Sequence, residues 1–483
     1  MASGVNVDVI IVGAGGSGLA AAIEAARAGG RVLVLEKGDR VRGSTGWSVG
    51  SVSASGTAHQ QRAGISDHVD HHFEDLGRFN AGKGDGDNLA LRRILVDESA
   101  GALRWLEQLG VAFVGPSPEP PHRVPRMHNV VPSSAAFGVC LERECVRLGV
   151  EIRFGWRMTG LVMEGGRVQG VHATDPEGSV QTLRAARGVV LAAGDFSASP
   201  ELKARYFGPE VVAADPVNPL STGDALLIAE SVGARILNGR MGNPPKLRFV
   251  PAPPGWMQRL PASPWVGRAL AFAWRIAPQW LIRPFVVQFL TTAMGPEATL
   301  FRCGAVLVDP EGRTVPIDTR NAARHLPMTP ARLGYIVFDS RCAQQLRSWP
   351  NFVSTAPGVA YAYLDDYRRG RPDIYREAAS VEALAAAIGA RGDLLAASLG
   401  DRKQAPWIAL GPLRGYVTLT DGGLAVDTQH RVLGPDDRPI EGLYAAGSTG
   451  QGGLLIEGHG HHLGWAFVSG RRAGRSIMGT LET

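Results

Sequence analysis

The chain of 483 residues is poor in the features of a disulfide scaffold, a membrane span or a fibre. It has four cysteines, Cys140, Cys145, Cys303 and Cys342, and none forms a C-x-x-C pair. Four thiols in so long a chain make no disulfide framework, and reduced thiols of a cytoplasmic protein are expected. No run of about 20 uncharged apolar residues occurs, so no helix should cross a bilayer. The opening MASGVNVDVIIVGAG does not read as a signal peptide, because its apolar run meets glycines at once. The 62 glycines follow no collagen-like period and are expected to serve tight turns. Net charge is only +5, so its distribution matters more than its size.

One absence is local. Between Glu230 and Glu297 there is no acidic residue at all. The same interval holds Arg235, Arg240, Lys246, Arg248, Arg259, Arg268, Arg275 and Arg283, together with Trp256, Trp265, Trp274 and Trp280. Arginine stems lie along apolar surface while their heads stay in water, and tryptophan suits a headgroup interface. Residues 256–294 therefore read as a segment for an anionic membrane surface, or as a core whose arginines pair with acids elsewhere. No nucleic-acid motif accompanies the run, so no nucleic acid partner is expected.

What is present is most informative at the start. Val7 to Val12 is a β-branched apolar run expected as a buried strand. Gly13, Gly15 and Gly18 follow with G-x-G-x-x-G spacing and open an alanine-rich helix, after which a second strand closes on Glu36. The first glycine permits a tight turn, the second lets the backbone approach a pyrophosphate, and the third lets helix and strand pack closely. A helix N-terminus then faces the phosphates, with Gly16 and Ser17 in its first turn. Glu36 suits a ribose diol. The loop that follows, with Ser44, Thr45 and Gly46, has the amides and hydroxyls to line a phosphate or flavin.

These motifs resemble the FAD-dependent fumarate reductase, succinate dehydrogenase and 3-ketosteroid dehydrogenase superfamily. The matching pieces are VIIVGAGGSGLAAAIEAARAG, VLEK with GSTGWSVG, RWLEQLGVAF, GVVLAAGDFSAS, LSTGDALLIAESVGARI and IEGLYAAGS. The resemblance implies non-covalent FAD, with Lys37, Ala193, Gly194, Asp224, Gly447, Ser448 and Leu463 joining the residues above around it. It implies an α/β fold: a Rossmann-like FAD-binding domain with a β-meander insertion, plus an inserted α+β cap that holds substrate. The expected boundaries are 1–235 and 405–483 for the FAD domain and 236–404 for the cap.

The segment GGLLIEGHGHHLGWAF follows the last of these motifs. Set against fumarate reductases, Glu457 stands where a substrate-binding Arg would be, and Leu419 where a His would be. Arg320 matches their proton-donating Arg with the local spacing two residues short. A small dicarboxylate substrate is therefore not expected. Set against ketosteroid dehydrogenases, Ile456 to Gly464 aligns without gaps to Y-P-G-P-G-A-T-L-G. The Gly460 N–H then corresponds to a donor that polarises a ketone oxygen, while Ile456 replaces the family's phenol. Glu457, His459, His461 and His462 are additions, and an imidazole suits proton transfer near neutrality. A metal site is set aside, because residues so close in a glycine-rich turn rarely converge on one ion without a distant ligand.

The reading is an FAD-dependent dehydrogenase or reductase acting on a CH–CH bond beside a carbonyl in a lipophilic, steroid- or terpenoid-like substrate. The alternatives are a membrane-associated electron-transfer flavoprotein, with quinone or another acceptor, and a fumarate-reductase-like enzyme on a small acid.

Overall fold

The computed structural model describes residues 7–81, 86–242, 245–252, 259–318, 321–356, 359–401 and 404–481. Arg320 and Trp256 lie outside them.

The opening motif folds as its residues dictate. Strand β1 (Val7–Val12) and strand β2 (Val32–Glu36) pair in parallel across helix α1 (Gly16–Arg27). Both are buried along nearly their whole length, as central strands covered on two faces must be. The parallel order continues from β1 through Val180–Leu191 to Pro439–Ala445, and from β2 to Glu151–Phe154. An antiparallel ladder of Arg157–Glu164, Arg167–Thr174 and the first half of Val180–Leu191 extends from this sheet. Glu151–Phe154 thus belongs to the parallel sheet, and the meander starts at Arg157.

The final helix, His461–Met478, packs directly on α1. Gly470 and Gly474 make that crossing close, since a Cβ on either would lie 2.3 Å from a backbone oxygen of α1. One hydrophobic core runs from Val7 to Met478 around this sheet.

A second, six-stranded sheet centres on Trp407–Val417. That strand pairs antiparallel with Lys246–Phe249, Gly334–Phe338 and Tyr375–Ala378, over cores of its own. The return to the first sheet was expected at residue 405. It comes later, at Arg431–Leu433 and Pro439–Ala445, because WIALGPLRGYV is apolar enough to centre either sheet and its hydrogen-bond partners are those of the second. The acid-free run forms two helices, Pro264–Ile276, which packs on Ala112–Ser117 and Met127–Val131 of the first unit, and Gln279–Ala293, which packs on the second. Among the described residues no helix is long and apolar enough to cross a membrane.

Candidate active site

A cavity of about 800 Å³ runs between the two units. At one end it is walled by Gly13, Gly15, Gly16, Ser17, Glu36 and Lys37, and Ala193, Gly194, Asp224 and Ser448 border it further along. Gly13 turns at φ +106°, and a Cβ there would lie 2.5 Å from the Ala192 oxygen. Gly18 packs α1 on β1, where a Cβ would meet the Gly13 oxygen at 1.9 Å. Gly15 is different: a Cβ would find nothing nearer than Gly43 Cα at 3.9 Å. Its backbone is thus open to whatever fills the cavity.

The polar groups here are held in place. Glu36 is buried, and its two oxygens accept the Ala14 and Gly38 amides at 2.8 and 2.7 Å, leaving lone pairs for a diol. Thr45 Oγ1 accepts the Gly16 amide at 3.0 Å. Ser44 receives a hydrogen bond from Asn218 at 3.0 Å. Lys37 donates to Thr222 and Asp224, and Arg157 also pairs with Asp224. An open glycine backbone at a helix start, a buried carboxylate at the end of the next strand and a cavity bordered by both fit FAD. Gly18, Gly46 and Gly447 do not border the cavity. Gly46 packs on the Arg42 side chain, and Gly447, at φ +63°, packs on Ser17 while its amide donates to Ser469 Oγ at 2.8 Å.

At the other end stands the polar turn. Glu457, His459, His462 and Leu463 line the cavity. The buried carboxylate of Glu119 accepts the His459 amide at 2.8 and 3.0 Å and pairs with His459 Nδ1. His462 Nε2 lies 3.2 Å from Asp421 Oδ1, also buried. The cavity therefore has two imidazoles, each oriented by a carboxylate from a distant segment. Leu419 borders the same space.

Two expectations for the turn are corrected. Gly460 does not border the cavity. Ser53 Oγ donates to the His459 carbonyl at 2.7 Å, and a Cβ on Gly460 would lie 2.4 Å from the Ser53 amide, so that residue is pressed onto strand Ser51–Ser53. His461 faces the core instead. It is fully buried, burial pushes its pKa down to about 3, and its Nε2 lies 3.2 Å from His72 Nε2. Successive helix residues point about 100° apart, so His461 and His462 cannot both face the cavity.

Sequence reasoning passed over three groups that border the cavity, Glu119, Asp195 and Arg248, and over Asp421 behind His462. Glu119 sits in a proline-rich stretch with no motif. Asp421 lies in TDGG, a recognisable signal whose pairing with His462 was not. Asp195 is buried, with its carboxyl pushed up by that burial, and accepts the Thr420 amide at 2.8 Å. Arg248, on Lys246–Phe249, borders the cavity, its side chain makes no hydrogen bond or ion pair with another described residue, and burial lowers its pKa.

A doubly covered parallel sheet with a glycine-opened helix over a long cavity defines a dinucleotide-binding oxidoreductase fold. The model of a family described as FAD binding domain matches residues 8–259 and 266–455, and the chain belongs to that family. It is an FAD-dependent oxidoreductase. The chain is 25% identical to "Probable fumarate reductase Ifc3" of Shewanella frigidimarina (strain NCIMB 400), across 97% of its own length and 74% of that protein. It is 28% identical to a KsdD-like steroid dehydrogenase of Mycobacterium tuberculosis (strain ATCC 25618 / H37Rv), covering 98% and 96% of the two chains. Its fold superposes on the open conformation of a flavocytochrome c3 fumarate reductase with a TM-score of 0.74, at 22% identity, over 100% of this chain and 80% of the other.

Proposed function

We propose that the chain oxidises or reduces a CH–CH bond beside a carbonyl in a lipophilic ring substrate of steroid or terpenoid type. The observation that carries this reading is that Glu457 and two carboxylate-held imidazoles share one cavity with the glycine-rich helix start. FAD, when bound, supplies the hydride acceptor or donor. His459 or His462 moves the proton on the neighbouring carbon, with Glu119 or Asp421 orienting the ring. Arg248 takes over the carbonyl-polarising role expected of the Gly460 amide, since an unpaired guanidinium stabilises a developing oxyanion. Leu247, Met294, Ala322 and Leu419 give the substrate an apolar wall. The six-stranded unit, about residues 236–417, is read as the cap. The likeness to a steroid dehydrogenase supports this substrate class, and Leu419 speaks against a small dicarboxylate.

A membrane partner is favoured by a separate observation. Trp265, Phe272, Ile276 and Trp280 on the helices Pro264–Ile276 and Gln279–Ala293 are 78%, 62%, 69% and 70% exposed. Arg268, Arg275 and Arg283 are exposed among them. An apolar stripe studded with arginine fits peripheral binding to an anionic bilayer. Ala293 ends the second of these helices at the cavity wall, a short route for a lipophilic substrate or a quinone acceptor.

The test is anaerobic mixing of the flavin-loaded protein with ring ketones, their unsaturated counterparts and fumarate, while flavin absorbance is followed. A spectral change with a ring ketone or enone alone is expected. A response to fumarate only, or only with a second protein present, overturns the reading.

A further inference from the structure

The redox reading leaves one buried polar cluster beside the cavity without a role. His72 lies on helix Val69–Phe79, His122 in the loop after Ala112–Ser117, and His461 in the first turn of the final helix. All three are buried, and one ring nitrogen of each lies within 4.8 Å of the other two. Their Nδ1 atoms are already engaged. His461 Nδ1 donates to the Glu457 carbonyl at 2.5 Å, His72 Nδ1 meets Ser55 Oγ at 3.1 Å, and His122 Nδ1 accepts from Arg126 at 2.8 Å. That leaves the Nε2 atoms, of which those of His72 and His461 face each other and that of His122 is without a hydrogen-bond partner.

A carbonyl only accepts, so the His461 proton sits on Nδ1 and its Nε2 presents a lone pair. Nε2 of His72 is 3.2 Å away, and Nε2 of His122 is buried with no hydrogen-bond partner. A bare buried polar atom costs about 1–3 kcal/mol and calls for an occupant. A tetrahedral ion with bonds of about 2.0–2.1 Å sets its nitrogens about 3.3 Å apart, close to the pair already in place.

We propose that His72, His122 and His461 bind a divalent transition-metal ion of the imidazole-preferring class through their Nε2 atoms. Burial keeps the rings from taking up a second proton, which would block a ligand nitrogen. The Glu457 carbonyl and Ser55 are outer partners of the kind that fix ligand orientation. Because Arg126 donates to its Nδ1, the His122 proton sits on Nε2 and is released to solvent as the ion binds, leaving an imidazolate whose charge the guanidinium offsets. Arg126 is itself balanced by Asp67 and Asp75, at 2.7 and 2.6 Å. Among the described residues no thiolate or carboxylate joins the set, which selects ions such as Zn²⁺ or Co²⁺ over Ca²⁺ or Mg²⁺.

The ion is structural. The Phe79 ring packs 4.7 Å from His122 and 5.6 Å from His461 and closes the cluster. What the ion ties together is the machinery beside it. His122 is three residues from Glu119, and His461 lies between His459 and His462. The turn alone has no site; His72 and His122 are the distant ligands that a metal there requires.

The experiment uses the flavin-loaded protein, dialysed against chelator and then given Co²⁺ alone or Zn²⁺ alone. About one equivalent should survive desalting, and Co²⁺ should show ligand-field bands at wavelengths beyond flavin absorption that Zn²⁺ abolishes. His72→Gln and His122→Gln should weaken retention at least about tenfold with flavin content unchanged, while His172→Gln, on the meander, behaves as wild type. Equal retention by all three variants, or wild-type protein with no Co²⁺ bands, overturns the proposal. If the two cluster variants fail to fold, the wild-type Co²⁺ spectrum decides alone.

Discussion

Replacing Gly15 with alanine separates the approach of the cofactor from the integrity of the fold. Gly15 has φ −79° and ψ −176°, angles an alanine adopts without strain. Its added Cβ would meet nothing of the protein closer than 3.9 Å. As an N-cap change, Gly15→Ala should cost no more than about 1 kcal/mol of stability. Gly13→Ala and Gly18→Ala should instead damage the fold, with backbone oxygens 2.5 and 1.9 Å from the new methyl. The Gly15 methyl occupies cavity space where a pyrophosphate would rest on the helix start. Displacing a phosphate from one amide removes a charge-assisted hydrogen bond of about 1.5–3 kcal/mol, roughly a 10- to 150-fold rise in Kd. The assay is reconstitution of stripped protein with FAD, followed by flavin fluorescence, beside thermal unfolding of the apoprotein. Wild-type FAD affinity in Gly15→Ala would show that no phosphate sits there. An unfolded apoprotein would show that the steric reasoning is wrong.

His459→Gln or His462→Gln, whichever removes the proton-transfer group, should slow substrate-driven flavin reduction about 10²- to 10⁴-fold with FAD still bound; two wild-type rates would remove the turn from the chemistry. Glu119→Gln should slow the same step about tenfold if His459 is the base, since one hydrogen bond to a charged acceptor is lost; an unaltered rate leaves His462 and Asp421. Changing Arg268, Arg275 and Arg283 together to Gln should weaken binding to anionic vesicles by about 3 kcal/mol, near 1 kcal/mol per cation; flotation equal to wild type counts against the surface. Acid should destabilise the protein, because burial pushes His128 down to about 4 and His430 to about 3. The unfolded chain takes up these protons near pH 6.5, so their contribution is intact above that pH. It is lost on acidification at about 1.4 kcal/mol per pH unit for each, until the folded pKa is reached. His430→Leu should therefore flatten the pH dependence of the denaturation midpoint between about pH 6 and 4, and an unchanged slope would refute this.

What was legible in the sequence is what local residues decide. Strand β1, the glycine turn, α1 and β2 sit within thirty residues, and the spacing of the three glycines alone marks the turn, although the contact that demands Gly13 is with Ala192. The position of the polar turn was legible too, because its glycines force a fixed path into the final helix. The direction of each side chain was not. Gly460 meets Ser53, more than four hundred residues away, and that contact decides that its amide is packed on a strand instead of facing a ketone. The single step from His461 to His462 then sends one ring into the core and the next into the cavity.

The same reasoning explains why the orienting groups were missed while the imidazoles were found. A histidine in a glycine-rich turn stands out by composition, whereas the carboxylate that orients it needs only to be near in space. Glu119 reaches His459 across 340 residues and Asp421 reaches His462 across 41, so neither spacing carries a signal. The loop from Glu119 to Arg126 shows how much such a segment can decide. It gives Glu119 to His459, His122 to the buried cluster, and Arg126 to Asp67, just before the His72 helix, and to Asp75, within it. Cutting the Arg126 pairs would leave buried charges without partners, a loss that propagates to both histidine sets. The polar turn is therefore held from outside, and its chemistry depends on a proline-rich loop that no motif marks.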